Sequence, residues 1–210
     1  MKYSILILLT FLSTFSNAYD IQKGLPVHFD LVKAGDKPVA LLGTQVNLGQ
    51  SAPNFKVVDN KFSVKTLADF AGKPLLISVV SSLDTGICSI QTKRFNDEFA
   101  NLPQDIVMLT ISTDLPFAQK RFCQTENIDK MQTLSDSVWR DFGMNYGLLI
   151  KDMGLLARAI FVISPEGNIA YKEIVNRLSG QPDYDAALAA INAVSEQTEP
   201  TDVEEPTAKK

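Results

Sequence analysis

Leu75-Leu76-Ile77-Ser78-Val79-Val80 runs straight into Ser81-Ser82-Leu83-Asp84-Thr85-Gly86-Ile87-Cys88. The first six residues are apolar at all positions but one, the pattern of a strand buried on both faces. Beyond the turn, Ile87, Phe95, Phe99 and Leu102 line one side of a helical wheel, while Lys93, Asn96 and Asp97 fall largely outside it. A buried strand that feeds an amphipathic helix through a short turn puts Cys88 in the first turn of that helix.

The rest of the chain extends this unit. Ile106 to Ile111 reads as a second buried strand, and Pro116, whose fixed φ suits a helix start, opens a short helix through Cys123. Thr133-Leu134-Ser135 is a brief third strand, and Val138 to Phe142 one or two helical turns. Ala159 to Ile163 and Ile169 to Val175 are strands around the turn Ser164-Pro165-Glu166-Gly167-Asn168. Pro182 and Asp183 begin a last helix with Tyr184, Ala187, Leu188, Ile191 and Val194 on one face. Upstream, Val27 to Val32 and Val39 to Leu42 form an N-terminal β-hairpin through Ala34-Gly35-Asp36, and Gln50 to Lys73 is rich in turns. The order predicts an α/β chain of thioredoxin-like type, a central mixed sheet flanked by helices.

The two ends differ from this middle. Residues 1–18 carry one charge, Lys2, then an apolar run from Ile5 to Leu12 and a small-residue exit at Ser16-Asn17-Ala18. That is the pattern of a signal peptide, and the apolar run falls short of the roughly 20 residues a membrane helix needs. Cleavage after Ala18 is expected, over retention as a short anchor, giving an exported protein, periplasmic or secreted, with no stable membrane insertion. Residues 196–210 hold two prolines and five acidic groups with only Val203 and Ala208 apolar, the composition of a disordered acidic tail. One folded domain over 19–195 remains. The formal charge of -4 and the lack of a basic patch argue against nucleic acid as a partner.

Two cysteines in an exported chain suggest first a structural disulfide. A chain of this length builds a core without a staple, so the surroundings of each thiol decide. The thiolate is the nucleophile, and a free thiol is mostly protonated at neutral pH. A helix start favours an anion by about 0.3 to 1 kcal/mol, too little to ionise a thiol without a nearby cation. Cys88 has the helix start and, three residues earlier, the hydroxyl of Thr85, which would also suit a cap. Taken alone, Cys123 would read as a small buried hydrophobe and Arg158 as an ordinary ion-paired arginine. His28, the single histidine, lies in the hairpin and has no catalytic role; no zinc cluster is visible and no cofactor is expected.

Asp84-Thr85-Gly86-Ile87-Cys88, followed by Arg94-Phe95-Asn96, resembles the peroxidatic motif of the thiol peroxidases, a branch of the atypical two-cysteine peroxiredoxins. Ser112-Thr113-Asp114-Leu115-Pro116-Phe117-Ala118-Gln119-Lys120-Arg121-Phe122-Cys123 is similar to the segment with that family's resolving cysteine. Leu156-Ala157-Arg158-Ala159 resembles the stretch supplying its active-site arginine, and Pro182 to Leu188 its final helix. The resemblance implies a peroxidase that reduces hydrogen peroxide and organic hydroperoxides. Cys88 would become a sulfenic acid and Cys123 would resolve it as a Cys88–Cys123 disulfide. Thr85 would hydrogen-bond the thiolate and the peroxide, and Arg158 would favour the thiolate and polarise the peroxide. It also implies a dithiol reductant of the thioredoxin-like kind and a homodimer. Apolar residues at Leu148 to Ile150 fit organic peroxides.

One position departs from the pattern: Ser81 stands four residues before Thr85, where the family has proline. Serine leaves φ free and adds a hydroxyl, so a looser loop and a more open sulfur are expected. A competing reading from a different class is a disulfide-stapled binding protein on the same fold. A disulfide oxidoreductase is a weaker one, because Gln91 occupies the position a Cys-x-x-Cys motif would require.

Overall fold

The computed structural model describes residues 24–196. The stretches expected to be a signal peptide (1–18) and an acidic tail (196–210) lie outside the described residues, apart from Glu196, which ends the last helix. Strands β1 (Val27–Ala34) and β2 (Lys37–Leu42) form the expected hairpin, and Gly35 turns it at φ +62°, a conformation glycine adopts without steric cost. The segment from Gln50 to Lys73 is more ordered than its turn-rich composition suggests. It holds β3 (Lys56–Val58), β4 (Val64–Thr66) and a 3-10 turn, Leu67–Phe70, begun by the reciprocal hydrogen bonds of Thr66 and Asp69. Strands of three residues give no resolvable alternation, which is why the sequence hides them.

Then come β5 (Leu75–Val79), α1 (Gly86–Glu98), β6 (Val107–Ser112), α2 (Pro116–Glu126) and β7 (Gln132–Ser135). The helix expected at Val138 starts later, as α3 (Asp141–Asn145), because the buried Asp136 carboxylate accepts the backbone N–H groups of Phe142 and Gly143. The chain closes with β8 (Leu149–Ile150), β9 (Ala159–Ile163), β10 (Ile169–Ile174) and α4 (Tyr184–Glu196).

Seven strands form one mixed sheet in the order β10-β9-β5-β6-β7-β3-β4, parallel at β5–β6–β7 and antiparallel elsewhere. The pleat sorts side chains by parity. Leu75, Ile77 and Val79 of β5, with Leu109 and Ile111 of β6, face a core shared with the hairpin and α3. Leu76, Met108, Ile160 and Val162 face the opposite core, with Phe95 of α1 and Tyr184, Ala187 and Ile191 of α4. Asn96, read from the wheel as outward, is buried against this second core, where its Oδ1 accepts the Lys130 N–H.

The hairpin does more than begin the chain. β2 pairs with β8 in a separate three-stranded sheet, and Lys33 exchanges backbone hydrogen bonds with Asn176 and Leu178 beyond β10. It therefore clamps two segments, around Ile150 and Leu178, that come from opposite sides of β9. No helix among the described residues is long and apolar enough to cross a membrane.

Candidate active site

The turn after β5 delivers Cys88 as the third residue of α1, where its backbone N–H is one of those without a helical partner. The thiol is fully buried at a pocket of about 420 Å³ lined by Ser81, Thr85, Ile87, Ile150, Leu155, Arg158 and others. The apolar wall includes Ile150 and Leu178, the two segments the hairpin holds. Of the expected Leu148 to Ile150 stretch only Ile150 reaches this wall; Leu148 and Leu149 pack into the core.

Arg158 arrives from far along the chain. It precedes β9 by one residue and shares the parity of Ile160 and Val162, so the pleat turns it toward α1. It is only 2% exposed, and its Nη2 donates to Cys88 Sγ at 3.2 Å. Its Nη1 donates to Gln91 Oε1, and Gln91 Nε2 donates in turn to Ser78 Oγ at 2.8 Å. The Nε–H of Arg158 has no hydrogen-bond partner among the described residues. Burying a guanidinium is costly unless its donors are satisfied, so its contact with a sulfur that can carry negative charge is the salient feature of the pocket.

Thr85 lines the same pocket, but its hydroxyl behaves differently from both expectations. It makes no side-chain cap to α1 and instead donates to the Ser82 carbonyl at 3.0 Å. The turn closes on itself because the Thr85 N–H also donates to that carbonyl, at 3.1 Å. Ser81 is likewise not loose: its Oγ donates to the Leu156 carbonyl at 2.7 Å, tying the Cys88 turn to the strand entry that carries Arg158. The expected freedom of this loop is thus replaced by a tether, since the hydroxyl that proline lacks finds a backbone acceptor.

Cys123 is half-buried on α2, with Sγ 3.4 Å from Thr133 Oγ1. Burial pushes its thiol pKa up, partly offset by the Thr133 hydroxyl. It lines a different, more polar cleft of about 370 Å³ with Asp59, Asn60, Lys61 and Thr133. Its neighbour Phe122 packs against Val80, Leu83 and Cys88. Successive helical residues diverge by about 100°, so Phe122 approaches the Cys88 site while Cys123 turns toward β7. Both cysteines are free thiols.

A profile of the Redoxin family matches residues 47–188. A thiol peroxidase of Oceanobacillus iheyensis is 50% identical over 155 residues, covering 74% of this chain and 94% of that protein. The chain belongs to the thiol peroxidase family of redoxins. A Staphylococcus aureus thiol peroxidase is also 50% identical, over 157 residues, 75% of this chain and 94% of its own. Among solved structures, a peroxiredoxin-like protein from Aquifex aeolicus superposes with a TM-score of 0.74 at 34% identity, covering 80% of this chain and 98% of that one. A thiol peroxidase from Chromobacterium violaceum, 24% identical with a TM-score of 0.70, covers 79% of this chain and 97% of its own and shares the fold.

The redoxin fold brings Cys88, Thr85 and Arg158 to one pocket and leaves Cys123 beside another. Gln91 was visible in the sequence only as the residue that spoils a Cys-x-x-Cys motif. Its spacing three residues after Cys88 put it on the same helix face, but nothing local announced that it would orient an arginine 67 residues away.

Proposed function

We propose that this chain is a thiol-dependent peroxidase in which Cys88 attacks the hydroperoxide and Cys123 resolves the product. The observation that carries the reading is the Arg158 Nη2 contact to a buried Cys88 Sγ that lines the pocket. The guanidinium lies against the sulfur and, as charge moves to the departing oxygen, supplies fixed donors where that charge develops. A sulfur–oxygen bond forms as the O–O bond breaks. The leaving oxygen takes a proton and departs as water or an alcohol, with Cys88 left as a sulfenic acid. Thr85, freed from Ser82, offers its hydroxyl to the bound peroxide. The apolar wall at Ile150, Leu155 and Leu178 accommodates an alkyl group, which extends the substrates from hydrogen peroxide to organic hydroperoxides.

The sulfenic acid then condenses with the Cys123 thiol to give the disulfide and water, and a thioredoxin-like dithiol reopens it. Because the two thiols line separate pockets, closure needs α1, α2 or both to open locally. Export after cleavage at Ala18 follows from residues 1–18 and would require an extracytoplasmic dithiol donor. Assembly as a homodimer follows from the family resemblance. The disulfide-stapled binding protein is the less favoured reading, because a staple gives no reason to bury an arginine on a free thiol.

The test is consumption of hydrogen peroxide and cumene hydroperoxide by the protein with dithiothreitol as reductant. Turnover that disappears in Cys88→Ser supports the reading, and peroxide consumption no faster than that of dithiothreitol alone would reject it.

A further inference from the structure

We infer that Asp114 is the positioning residue that holds the Cys88 turn in its peroxide-reactive form, and so sets whether the sulfenic acid meets a second peroxide or Cys123. This rests on the roles of Cys88 and Cys123 proposed above. The Asp114 side chain lies between the entries to both cysteine-bearing helices. Its Oδ1 accepts the Ser82 hydroxyl at 2.7 Å, and its Oδ2 accepts the Leu83 N–H at 2.7 Å and the Ser112 hydroxyl at 2.8 Å. Two of these donors belong to the turn between β5 and α1, and the third to the end of β6.

The hold is passed on to Cys88 through Ser82. The Ser82 hydroxyl accepts the Asp84 N–H at 3.2 Å, and its carbonyl accepts both the N–H and the hydroxyl of Thr85, the residue immediately before α1. Asp114 is itself fixed: its N–H donates to Ser112 Oγ at 3.3 Å and its carbonyl accepts Ser135 Oγ at 2.6 Å. Two residues later Pro116 starts α2, which carries Cys123. One carboxylate thus joins the two helices that must separate or unwind before their sulfurs meet. Bonds to a carboxylate are stronger than those between neutral groups, which suits a joint of this kind.

The two fates of the sulfenic acid make opposite demands on that joint. A second hydroperoxide adds an oxygen to Cys88 to give a sulfinic acid, its O–O bond breaking as an alcohol or water leaves; this uses the intact pocket. Condensation with Cys123 forms the S–S bond, breaks the S–O bond and releases water with the Cys123 proton; this needs the turn to open. Asp114 makes its bonds to Ser82 and Leu83 only in the closed turn, so it favours the first fate over the second.

Asp114→Asn keeps the size of the side chain but places an amide against one of the present donors. Rapid mixing with one equivalent of hydrogen peroxide separates sulfenic acid formation from disulfide closure. The expected result is closure faster by about tenfold and peroxide attack slower by about tenfold, the range set by loss of a hydrogen bond to a charged group. The fraction of Cys88 driven to sulfinic acid by excess peroxide falls accordingly, as intact mass reads directly. Ser82→Ala, which removes one of the three donors, should move both steps in the same directions by less. The proposal is overturned if both steps slow together in these variants, as general destabilisation would cause, or if neither changes. Peroxide consumption by Cys88→Ser would overturn the assignment of the nucleophile, and the latch with it, whereas unchanged steps in a protein that still needs Cys88 overturn the latch alone.

Discussion

Cys88 and Cys123 carry the same side chain on consecutive helices, but one sits at the start of its helix and the other near the end. Cys88 lies on a pocket with apolar walls, fully buried, with an arginine donating to its sulfur. Cys123 lies half-buried on a polar cleft, with a threonine hydroxyl beside its sulfur and a thiol pKa raised by burial. The first setting, with a guanidinium on the sulfur, suits the nucleophile proposed above. The second, a thiol whose pKa burial raises, suits the proposed resolving role. Chemical specialisation in this protein therefore comes from the position of each cysteine on its helix and from one remote cation.

The largest expected effect follows from exchanging the two roles for none. Cys88→Ser should lose peroxide reduction by at least about a thousandfold, because no other group on the pocket is a nucleophile of comparable strength. Cys123→Ser should retain one turnover and stop at a sulfenic acid, detectable by dimedone adduct mass. Equal loss of the first turnover in both variants would erase the distinction between the sites.

Removing the cation should have the next largest effect. Arg158→Met deletes the donor to Cys88 Sγ and should slow the peroxide step by roughly 10 to 100-fold, the equivalent of about 1.5 to 3 kcal/mol for a charge-assisted hydrogen bond. Disulfide closure measured separately should change far less, since the side-chain hydrogen bonds of Arg158 go to Cys88 and Gln91 and that of Cys123 to Thr133. A peroxide step of unaltered rate would remove Arg158 from the chemistry.

The third effect is one of pH. With its thiol raised above the ordinary cysteine value, Cys123 is almost wholly protonated at neutral pH, and the attacking thiolate becomes more abundant as pH rises. Disulfide closure should accelerate with pH between about 7 and 9, by up to tenfold per unit where attack limits the rate. Closure independent of pH over that window would mean that opening of the helices, and not the Cys123 thiol, governs the step.

Ser81 gives the smallest effect. Ser81→Ala removes the hydroxyl tether to Leu156 and should reduce the peroxide rate by about fivefold, in line with roughly 1 kcal/mol for a neutral hydrogen bond. Ser81→Pro loses the same tether, and stopped-flow fluorescence on both variants would show whether rigid φ compensates for it. A rate equal to that of the unaltered protein in Ser81→Ala would reduce the tether to a bystander.

Much of the fold was legible because its signals are local. Five apolar positions from Leu75 to Val80, proline at the start of α2 and the Ser164–Asn168 turn each act within a few residues, and all appear where the pattern put them. Strands β3 and β4 escaped because their order comes from pairing with β7 and each other across the sheet, which no three-residue segment encodes. Asn96 was misplaced for a similar reason: a wheel reports polarity, while its burial depends on the Lys130 N–H that meets it.

For the site, the sequence alone determined which residues are present and that Cys88 begins a helix, because strand, turn and helix start are written contiguously. Only the tertiary structure decided what those groups do to one another. It carried Arg158 across 70 positions to the sulfur, set Gln91 behind it, turned the Thr85 hydroxyl to Ser82 and gave the Ser81 hydroxyl to Leu156. Hydrogen bonds reach only about 3 Å, so their partners are fixed by how the sheet brings distant segments side by side, and spacing along the chain carries no record of that.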